Sequence, residues 1–412
     1  MANRNEDCKA GTHADPSEGD KRSTAVPGFL ALTRLQQGLA ALKADHLERH
    51  RRLIDGAQGA HVTIDGQRVI SFCNNDYLGL AADPALVAAA HAALDACGVG
   101  AGAAHLITGH HRFHHDFEAA FAHFVGKPAA LLFSTGYLAN LGVLTALLTK
   151  KGEVFADKLN HASLVDAAQL SGASFTRYRH NDLAQLDGQL AASTAQDKLI
   201  VSDLVFSMDG DIAPVDALLD LAGRYDAWLY LDDAHGFGVL GDGRGGLSER
   251  ARASDRVIYL ATLGKAAGVS GAAVAAHASV IDWLIQKARP YIYTTASPPL
   301  LAACLLESLR QIEAGDARRE RLRSHIAQLR EGLVDLKLGA LMPSDTPIQP
   351  LVIGANADAV RLSQALLQRG LLVPAIRTPT VPADTARLRI TLSAAHSTDD
   401  VAQLIEALHA LA

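Results

Sequence analysis

Short apolar runs and amphipathic stretches alternate along the middle of the chain, beginning at residue 129. The apolar runs predict strands at 129–134, 153–157, 175–179, 199–205, 228–232, 258–263 and 272–277. Amphipathic stretches predict helices between most of these strands, for example at 138–148, 183–191 and 215–225. Strands that alternate with helices form a mostly parallel sheet with helices on both faces. The pattern therefore predicts an α/β fold.

The N-terminal part of the chain has a different pattern. Leucines at roughly helical spacing predict an amphipathic helix over residues 29–53. Two short strands are expected at 61–64 and 68–72, followed by a helix at 84–96 with proline near its start.

After residue 300 the pattern becomes helical and then changes to a small α+β unit. Its predicted strands are 348–354, 371–376 and 387–392. Its last helix begins near Ser397, which can form a capping box with Asp400. We therefore predict four parts: a disordered polar extension (1–27), an N-terminal helix with short strands (28–80), a large domain (81–305) and a small C-terminal domain (306–412).

Composition narrows the class of protein. The chain has 412 residues, of which 49% are hydrophobic and 20% are charged, which is enough for a large core. A net charge of −6 without a basic block argues against nucleic acid as the main partner. No apolar run approaches the length of about eighteen residues that a membrane span needs. The polar start of the chain and the unpaired spacing of its four cysteines favour a cytoplasmic protein with reduced thiols.

Lys265 is the first candidate for chemistry. It follows the apolar strand 258–263 and lies between glycines. An ordinary lysine could reach solvent at such a strand-to-loop turn. A buried amine, however, is costly to keep charged, and an amine with a lowered pKa can form an imine. A P-loop does not fit, because neither its glycine spacing nor the Ser/Thr after the lysine is present.

A second apolar strand, 228–232, ends in Asp232 and Asp233, and His235 follows. Ligands of open α/β sheets bind at the carboxyl ends of the strands. If Lys265 holds pyridoxal phosphate (PLP), one such acid can keep the pyridine nitrogen protonated, so that the ring accepts electrons from a carbanion. A helix-capping or salt-bridged acid pair is the structural alternative.

Further polar positions follow other predicted strands. Gly136 and Tyr137 lie at a strand-to-helix junction, where N–H groups can bind phosphate or a Ser/Thr simply caps the helix. His161 begins a helix, and it could either stack on a planar cofactor or only order that helix. Ser207 follows the next strand. Because all of them follow strands of one sheet, we expect them at one rim.

Two other patterns point to different chemistry and are rejected. Residues 236–241 match GxGxxG after a strand, but the glycine-rich stretch 242–246 cannot begin the helix that a dinucleotide site needs. A histidine cluster, His110, His111, His114 and His115, contains an i, i+4 pair. No HExxH motif or nearby Cys/carboxylate set accompanies it, so we predict no metal.

Five segments together resemble the α-oxoamine synthases, PLP enzymes of fold type I. They are 75–80 (NDYLGL), 160–164 (NHASL), 206–211 (FSMDGD), 232–236 (DDAHG) and 262–265 (TLGK). The resemblance extends from about residue 35 to the C-terminus and implies a large PLP-binding domain and a smaller C-terminal domain. The polar extension lies outside it, and Ala104 stands where the family usually has a serine in a glycine-rich loop.

The resemblance implies roles for the residues that match the cofactor site. Lys265 would bind PLP as an internal aldimine and move the Cα proton of the substrate. Asp232 would pair with the ring nitrogen, and His161 would stack on the ring. His235 and Ser207 would bond its phenolic oxygen.

The remaining matched residues would contact the phosphate and the substrates. Gly136 and Tyr137 would bind the phosphate through their N–H groups, with Thr262 beside them. The substrate-binding residues implied by the resemblance are Arg49, Asn75, His161, Thr380 and Arg389. Members of the family are homodimers with their active sites at the subunit interface.

Three C-terminal segments are most similar to the branch of the family that serves biotin biosynthesis: 348–351 (IQPL), 376–382 (IRTPTVP) and 386–392 (ARLRITL). That branch condenses L-alanine with a pimeloyl thioester, of coenzyme A or of a carrier protein, and releases CO₂. One alternative is a sister enzyme such as glycine C-acetyltransferase, against which segment 376–382 argues. Another is a PLP-fold protein kept for binding or regulation, which should have lost the lysine or the acid; both are present.

Overall fold

The computed structural model describes residues 30–44, 47–49 and 51–412, and the predicted extension 1–27 lies outside them. The chain forms two units, residues 1–53 and 54–412. In the first unit, helix α1 covers Leu30–Ala44, and none of its residues is buried. The prediction of a helix over 29–53 was therefore too long, because residues 47–49 are not helical.

The second unit contains three sheets. Its strands are β1 (Ile54–Asp55), β2 (His61–Ile64), β3 (Gln67–Ser71), β4 (Ala129–Phe133), β5 (Glu153–Asp157), β6 (Ser174–Tyr178), β7 (Lys198–Asp203), β8 (Trp228–Asp232), β9 (Val257–Thr262), β10 (Ala272–Ala276), β11 (Ala340–Leu341), β12 (Ile348–Gly354), β13 (Leu371–Leu372), β14 (Ala375–Ile376) and β15 (Ala386–Thr391).

Helices surround these sheets. They are α2 (Pro84–Cys97), α3 (Arg112–Val125), α4 (Gly136–Leu147), α5 (Ala162–Ser171), α6 (Leu183–Ala192), α7 (Val215–Arg224), α8 (Glu249–Ala253), α9 (Ala278–Lys287), α10 (Arg289–Ile292), α11 (Pro299–Glu313), α12 (Asp316–Gly332), α13 (Asn356–Gln368) and α14 (Thr398–His409). A π-helical turn covers His105–Gly109 and a 3₁₀ turn covers Gly241–Gly243. None of the described helices is both long and apolar enough to cross a membrane.

The largest sheet has seven strands in the order β4-β10-β9-β8-β7-β5-β6. All seven predicted strands are present, and β10 alone runs opposite to the other six strands of the sheet. β10 is buried along its whole length, and β9 is buried up to its last residue. A strand covered by helices on both faces needs a continuous apolar run rather than an alternating one, which explains why the sequence pattern was clear here. The predicted α/β fold is confirmed.

The register of this sheet brings the strand ends together. In the parallel ladder Asp203 pairs with Asp232, and Asp232 pairs with Leu260 of β9. The carboxyl ends of β7, β8 and β9 therefore lie side by side, and the loops that leave them begin at one rim. After β8 the chain makes only the 3₁₀ turn Gly241–Gly243 before α8, so residues 236–241 do not begin an α-helix.

The two smaller sheets join distant parts of the chain. One has the order β1-β2-β3-β13, in which β13 runs parallel to β3, and the other has the order β11-β12-β15-β14. The predicted single strand 371–376 is in fact the pair β13 and β14, which belong to different sheets. Pro374 stands between them, and it has no N–H to continue a ladder; its carbonyl accepts from the Arg389 N–H at 3.1 Å. The predicted capping box of Ser397 and Asp400 is confirmed.

His396 connects the segment after β15 with the end of β3. Its buried ring stacks on Phe72 with a centroid distance of 4.5 Å. Its Nε2 lies 3.1 Å from the Ser71 carbonyl oxygen, and its Nδ1 accepts from the Ser393 N–H at 3.0 Å. Burial lowers the pKa of His396 from 6.5 to about 4. The ring is therefore neutral at pH 7.

We expect replacement of His396 by glutamine to reduce the acid sensitivity of folding. The folded-state pKa is below the unfolded one, so between pH 6.5 and pH 4 the unfolded chain binds more protons and acid destabilises the fold. From pH 7.5 to pH 5 this histidine alone costs about 2 kcal/mol of unfolding free energy. Urea unfolding measures the free energy of unfolding at both pH values. The gap in that free energy between wild type and His396→Gln should be smaller at pH 5 than at pH 7.5 by this amount. Replacing the exposed His91 by glutamine is the control, and an unchanged gap for His396→Gln would contradict the expectation.

Candidate active site

A cavity opens at the carboxyl ends of the parallel strands. The eight residues predicted to bind the cofactor all line it: Gly136, Tyr137, His161, Ser207, Asp232, His235, Thr262 and Lys265. They come from segments that follow β4, β5, β7, β8 and β9, or from the last residues of those strands. The structure therefore brings together groups that are far apart in sequence, as the position of each after a strand led us to expect.

Lys265 reaches this cavity from the loop after β9. Burial lowers the pKa of its amine, the carboxylates of Asp232 and Asp203 act in the opposite direction, and the charge of Arg389 lowers the pKa further. The net direction is downward, which raises the share of neutral amine. A neutral amine is the form that attacks a carbonyl carbon, so the arrangement suits an imine-forming lysine.

The two adjacent acids after β8 have different surroundings. Asp232 lines the cavity; its Oδ1 accepts from the Ala234 N–H at 3.1 Å and its Oδ2 from the Asn140 amide at 2.9 Å. Asp233 is fully buried and accepts from the Tyr259 hydroxyl at 2.8 Å. Burial raises the pKa of Asp233 to about 7. Asp232 is thus the acid that faces a ligand, and Asp233 belongs to the core.

His161 has two roles that the sequence left open, and the geometry is compatible with both. Its Nδ1 lies 2.7 Å from the Ser163 hydroxyl and accepts from the Ser163 N–H at the start of α5, so the side chain caps this helix. Its backbone N–H donates to Asp203 at 2.6 Å. The ring also lines the cavity, where it is exposed. Burial of the ring nitrogens lowers the His161 pKa, although Asp232 acts in the opposite direction.

On another side of the cavity, Tyr77 connects several of the predicted residues. Its hydroxyl lies 2.6 Å from His235 Nδ1 and 3.2 Å from Asn75 Oδ1. Burial lowers the pKa of His235 well below its usual value, and the charges of Lys265 and Arg389 lower it further. His235 is therefore a neutral ring held in place by a hydroxyl, and it can bond a ligand through its other nitrogen.

Arg389 is a buried cation next to this group, with 6% of its surface exposed. Its Nε donates to the Ser207 carbonyl oxygen at 2.6 Å. Among the residues that the structure describes, no carboxylate forms an ion pair with Arg389, whereas its neighbour Arg387 pairs with Asp209. A buried guanidinium is costly without an anionic partner. Arg389 is thus well suited to bind a carboxylate that a ligand brings.

The N-terminus of α4 forms the anion-binding end of the cavity. Thr135 caps the helix by accepting from the Leu138 N–H at 3.1 Å, which leaves the N–H groups of Gly136 and Tyr137 at the open end. A Cβ at Gly136 would lie 2.9 Å from the Thr262 hydroxyl oxygen. Only glycine therefore keeps this approach open, and a phosphate fits the exposed N–H groups.

These groups together match what PLP requires. The cavity has an amine for a covalent bond, a carboxylate for the ring nitrogen, a ring that can stack and a helix N-terminus for the phosphate. The role of each residue remains a prediction, because the fit rests on the chemistry of the donor set.

Of the five predicted substrate residues, His161 alone is among the described residues that line the cavity. Asn75 and Arg389 are linked to lining residues through the Tyr77 hydroxyl and the Ser207 carbonyl oxygen. Thr380 is exposed on the turn after β14, and it is not among the described residues that line the cavity. Arg49 lies in the first unit of the chain. Their predicted contacts with substrate remain predictions.

The sequence analysis missed four polar side chains of the site: Tyr77, Asn140, Ser163 and Asp203. Asp203 is the last residue of β7, but the sequence predicted a strand that continued to residue 205, so Asp203 was placed in its interior and not at its end. Asn140 stands four residues after Gly136, which places it on the same face of α4. Tyr77 and Ser163 lie within the quoted motifs, but no spacing rule shows what their hydroxyl groups contact.

The histidine cluster stabilises the start of α3. His105, His110 and His114 each place a nitrogen within 4.8 Å of the others. Both nitrogens of His114 have partners, since Nδ1 accepts from the His111 N–H at 3.0 Å and Nε2 lies 2.9 Å from the Ser297 carbonyl oxygen. A metal would have to displace these bonds.

Comparisons with known proteins agree with this site. The aminotransferase class I and II family matches residues 67–408. The 8-amino-7-oxononanoate synthase of Thiobacillus denitrificans (strain ATCC 25259 / T1) is 79% identical over 382 residues, which cover 93% of this chain and 99% of that protein.

Solved structures show the same fold. Sphingomonas wittichii serine palmitoyltransferase has a TM-score of 0.87 at 31% identity, and covers 92% of this chain and 96% of that chain. An 8-amino-7-oxononanoate synthase from Francisella tularensis has a TM-score of 0.73 at 32% identity, with 83% of this chain and 97% of that chain covered. A serine palmitoyltransferase structure that contains the PLP internal aldimine has a TM-score of 0.86 at 29% identity, with 92% and 97% covered. The family match spans most of the chain, so the protein belongs to the aminotransferase class I and II family and is a PLP-dependent enzyme of fold type I.

Proposed function

We propose that this protein is an 8-amino-7-oxononanoate synthase, a PLP-dependent acyltransferase of biotin biosynthesis. It condenses L-alanine with a pimeloyl thioester and releases CO₂. The observation that carries the proposal is the 79% identity with the Thiobacillus denitrificans synthase over 93% of this chain. Such identity is far above the 31% shared with a serine palmitoyltransferase of the same fold.

Four side chains hold the cofactor and govern the proton at the substrate Cα. Bound PLP supplies an electron sink for the carbanion that forms there. Lys265 would hold the cofactor and would serve as the base for the Cα proton of the substrate. The lowered pKa of its amine favours the neutral form that this role requires. Asp232 would keep the ring nitrogen protonated, His161 would stack on the ring, and His235 would donate to its phenolic oxygen.

Arg389 and Asn75 orient the amino acid substrate. The buried guanidinium of Arg389 receives the α-carboxylate, and Asn75, held beside it through Tyr77, supplies a further polar contact. Fixing the carboxylate fixes the direction of the Cα–H bond, so that the proton points toward Lys265. Orientation of this kind is the main contribution that a protein makes to PLP chemistry.

The acyl donor carries its thioester on coenzyme A or on an acyl-carrier protein, and the enzyme acts as a homodimer. Arg49 and Thr380 are the residues that the family resemblance assigns to contacts with the acyl chain. The pimeloyl group ends in a carboxylate, which needs a cation or several donors where it is shielded from water. The basic end of the N-terminal segment, with Arg49, Arg51 and Arg52, can supply that cation.

We expect Arg49→Ala to raise KM for pimeloyl-CoA more than KM for an uncharged acyl-CoA of similar length. A charge-assisted contact is typically worth about 1.5–3 kcal/mol, so the difference should be about tenfold or more. Steady-state kinetics with both thioesters measures it, and Arg34→Ala, which removes an exposed arginine of α1, is the control. Equal weakening toward both thioesters would mean that Arg49 does not contact the carboxylate.

The proposal is tested by a substrate matrix. The purified holoenzyme is assayed with L-alanine, glycine and L-serine, each against pimeloyl-, acetyl-, succinyl- and palmitoyl-CoA and against the pimeloyl thioester of an acyl-carrier protein, by thiol release and product mass. Alanine with pimeloyl-CoA should give the highest kcat/KM. Preference for glycine with acetyl-CoA would make it a glycine C-acetyltransferase, and PLP binding without turnover on any pair would favour a binding or regulatory protein.

A further inference from the structure

Asn140, on the cavity side of α4, is held by three hydrogen bonds. It is 1% exposed. The Tyr230 hydroxyl donates to its Oδ1 at 2.6 Å, and its Nδ2 donates to Asp232 Oδ2 at 2.9 Å and to the Ser163 hydroxyl oxygen at 2.8 Å. The opposite amide orientation would place Oδ1 against the Asp232 carboxylate, where neither atom can donate. The network therefore fixes which way the amide points.

The direction of donation continues through Ser163 to His161. Because the Ser163 oxygen accepts from Asn140, its own hydrogen is free for His161 Nδ1, which lies 2.7 Å away. Nδ1 of the neutral ring is then the acceptor, and the proton lies on Nε2. Tyr230 and Ser163 are buried, so water does not replace these bonds. The Asn140 amide thus bonds Asp232 directly, and through the Ser163 hydroxyl it determines which nitrogen of His161 carries the proton.

We propose that Asn140 is a positioning residue that sets Asp232 and His161 in their working orientations at the same time. The inference rests on the proposed function, because it assigns Asp232 to the cofactor ring nitrogen. Asn140 and the Ala234 N–H hold one carboxylate oxygen each, so that the remaining lone pairs face the cavity. The donated hydrogen bond also stabilises the charged form of Asp232, which is the form that the ring nitrogen needs.

The test replaces Asn140 by leucine, which has a similar shape and no donor, and measures the holoenzyme. PLP affinity should fall about tenfold or more, because a hydrogen bond to a charged group is lost. The pH midpoint of the visible absorption of bound PLP should move upward by about half a unit or more. A weaker Asp232 leaves less positive charge on the ring nitrogen, and the Lys265 nitrogen then holds its proton more strongly.

Two further variants separate the branches of the network. Tyr230→Phe keeps the shape of the core, and it should move the absorption midpoint in the same direction by a smaller amount. Ser163→Ala touches only the His161 branch, and it should lower kcat while leaving the midpoint at the wild-type value. Thr145→Val is the control and should change neither quantity, because the Thr145 hydroxyl, on the same helix, donates to the Leu141 carbonyl oxygen and not to the Asn140 network.

Three results would overturn the positioning role of Asn140. A wild-type midpoint and PLP affinity in Asn140→Leu overturn the inference, and so does a lower melting temperature with an unchanged midpoint, which is the result of a purely structural role. If Asn140→Leu does not fold, an unchanged midpoint in Tyr230→Phe overturns it instead. Failure of wild type to bind PLP would refute the proposed function, which is a separate result.

Discussion

Replacing Lys265 by alanine is expected to remove covalently held PLP and to lower kcat by about a thousandfold or more, because both the bond to the cofactor and the proton acceptor are lost. The side chain lines the cavity with a lowered pKa, and the other lining residues predicted to bind the cofactor carry no primary amine. Borohydride reduction followed by peptide mass spectrometry locates the modified residue. Lys158→Ala, an exposed lysine, is the control. A reduced adduct on any other lysine would show that the assignment is wrong.

Replacing Asp232 by asparagine should have the second large effect. It should lower the rate of the reaction while leaving PLP bound. The variant should still bind PLP, because the helix N-terminus and Lys265 are unchanged. Its kcat should fall by about a hundredfold or more, because a neutral amide cannot stabilise positive charge on the ring nitrogen.

Asp233→Asn provides a matched comparison, because it makes the same substitution at the next position. That carboxyl is buried in the core with Tyr259 and the Gly246 N–H as partners. Its replacement should lower the melting temperature and leave the absorption of bound PLP unchanged. Near-normal turnover in Asp232→Asn, together with loss of turnover in Asp233→Asn, would exchange the two roles.

Much of the fold followed from the sequence because burial in this sheet is complete. β8, β9 and β10 lie under helices on both faces, so their sequences are continuous apolar runs with sharp ends. The errors fell where that signal is absent. Helix α1 has no buried face, so the leucine spacing that predicted residues 29–53 could not mark its end. Residues 371–376 read as one apolar run, and only the pairing with two separate sheets divides them.

The sequence predicted those site residues that stand at or just after the carboxyl end of a buried strand. Lys265, Asp232 and Ser207 follow buried strands, and the structure places all three around one cavity. Asn140 could not be found in this way, because its importance comes from Tyr230 and Asp232, which are distant in sequence. Its hydrogen-bond partners come from two other elements, β8 and α5, and contacts of this kind leave no periodic signal in the chain.

The parallel pairing of β3 with β13 has a consequence for synthesis on the ribosome. Residues of β3 emerge early, yet their partner β13 emerges only after the whole central sheet has been made. Until then β3 has an open edge that another nascent chain could pair with. The late segment also holds Tyr77, since the Ala394 N–H donates to its carbonyl oxygen at 2.8 Å. A nascent chain that already contains Lys265 therefore still lacks the contact that supports Tyr77 and, through it, His235; these residues are supported only after Ala394 has been added.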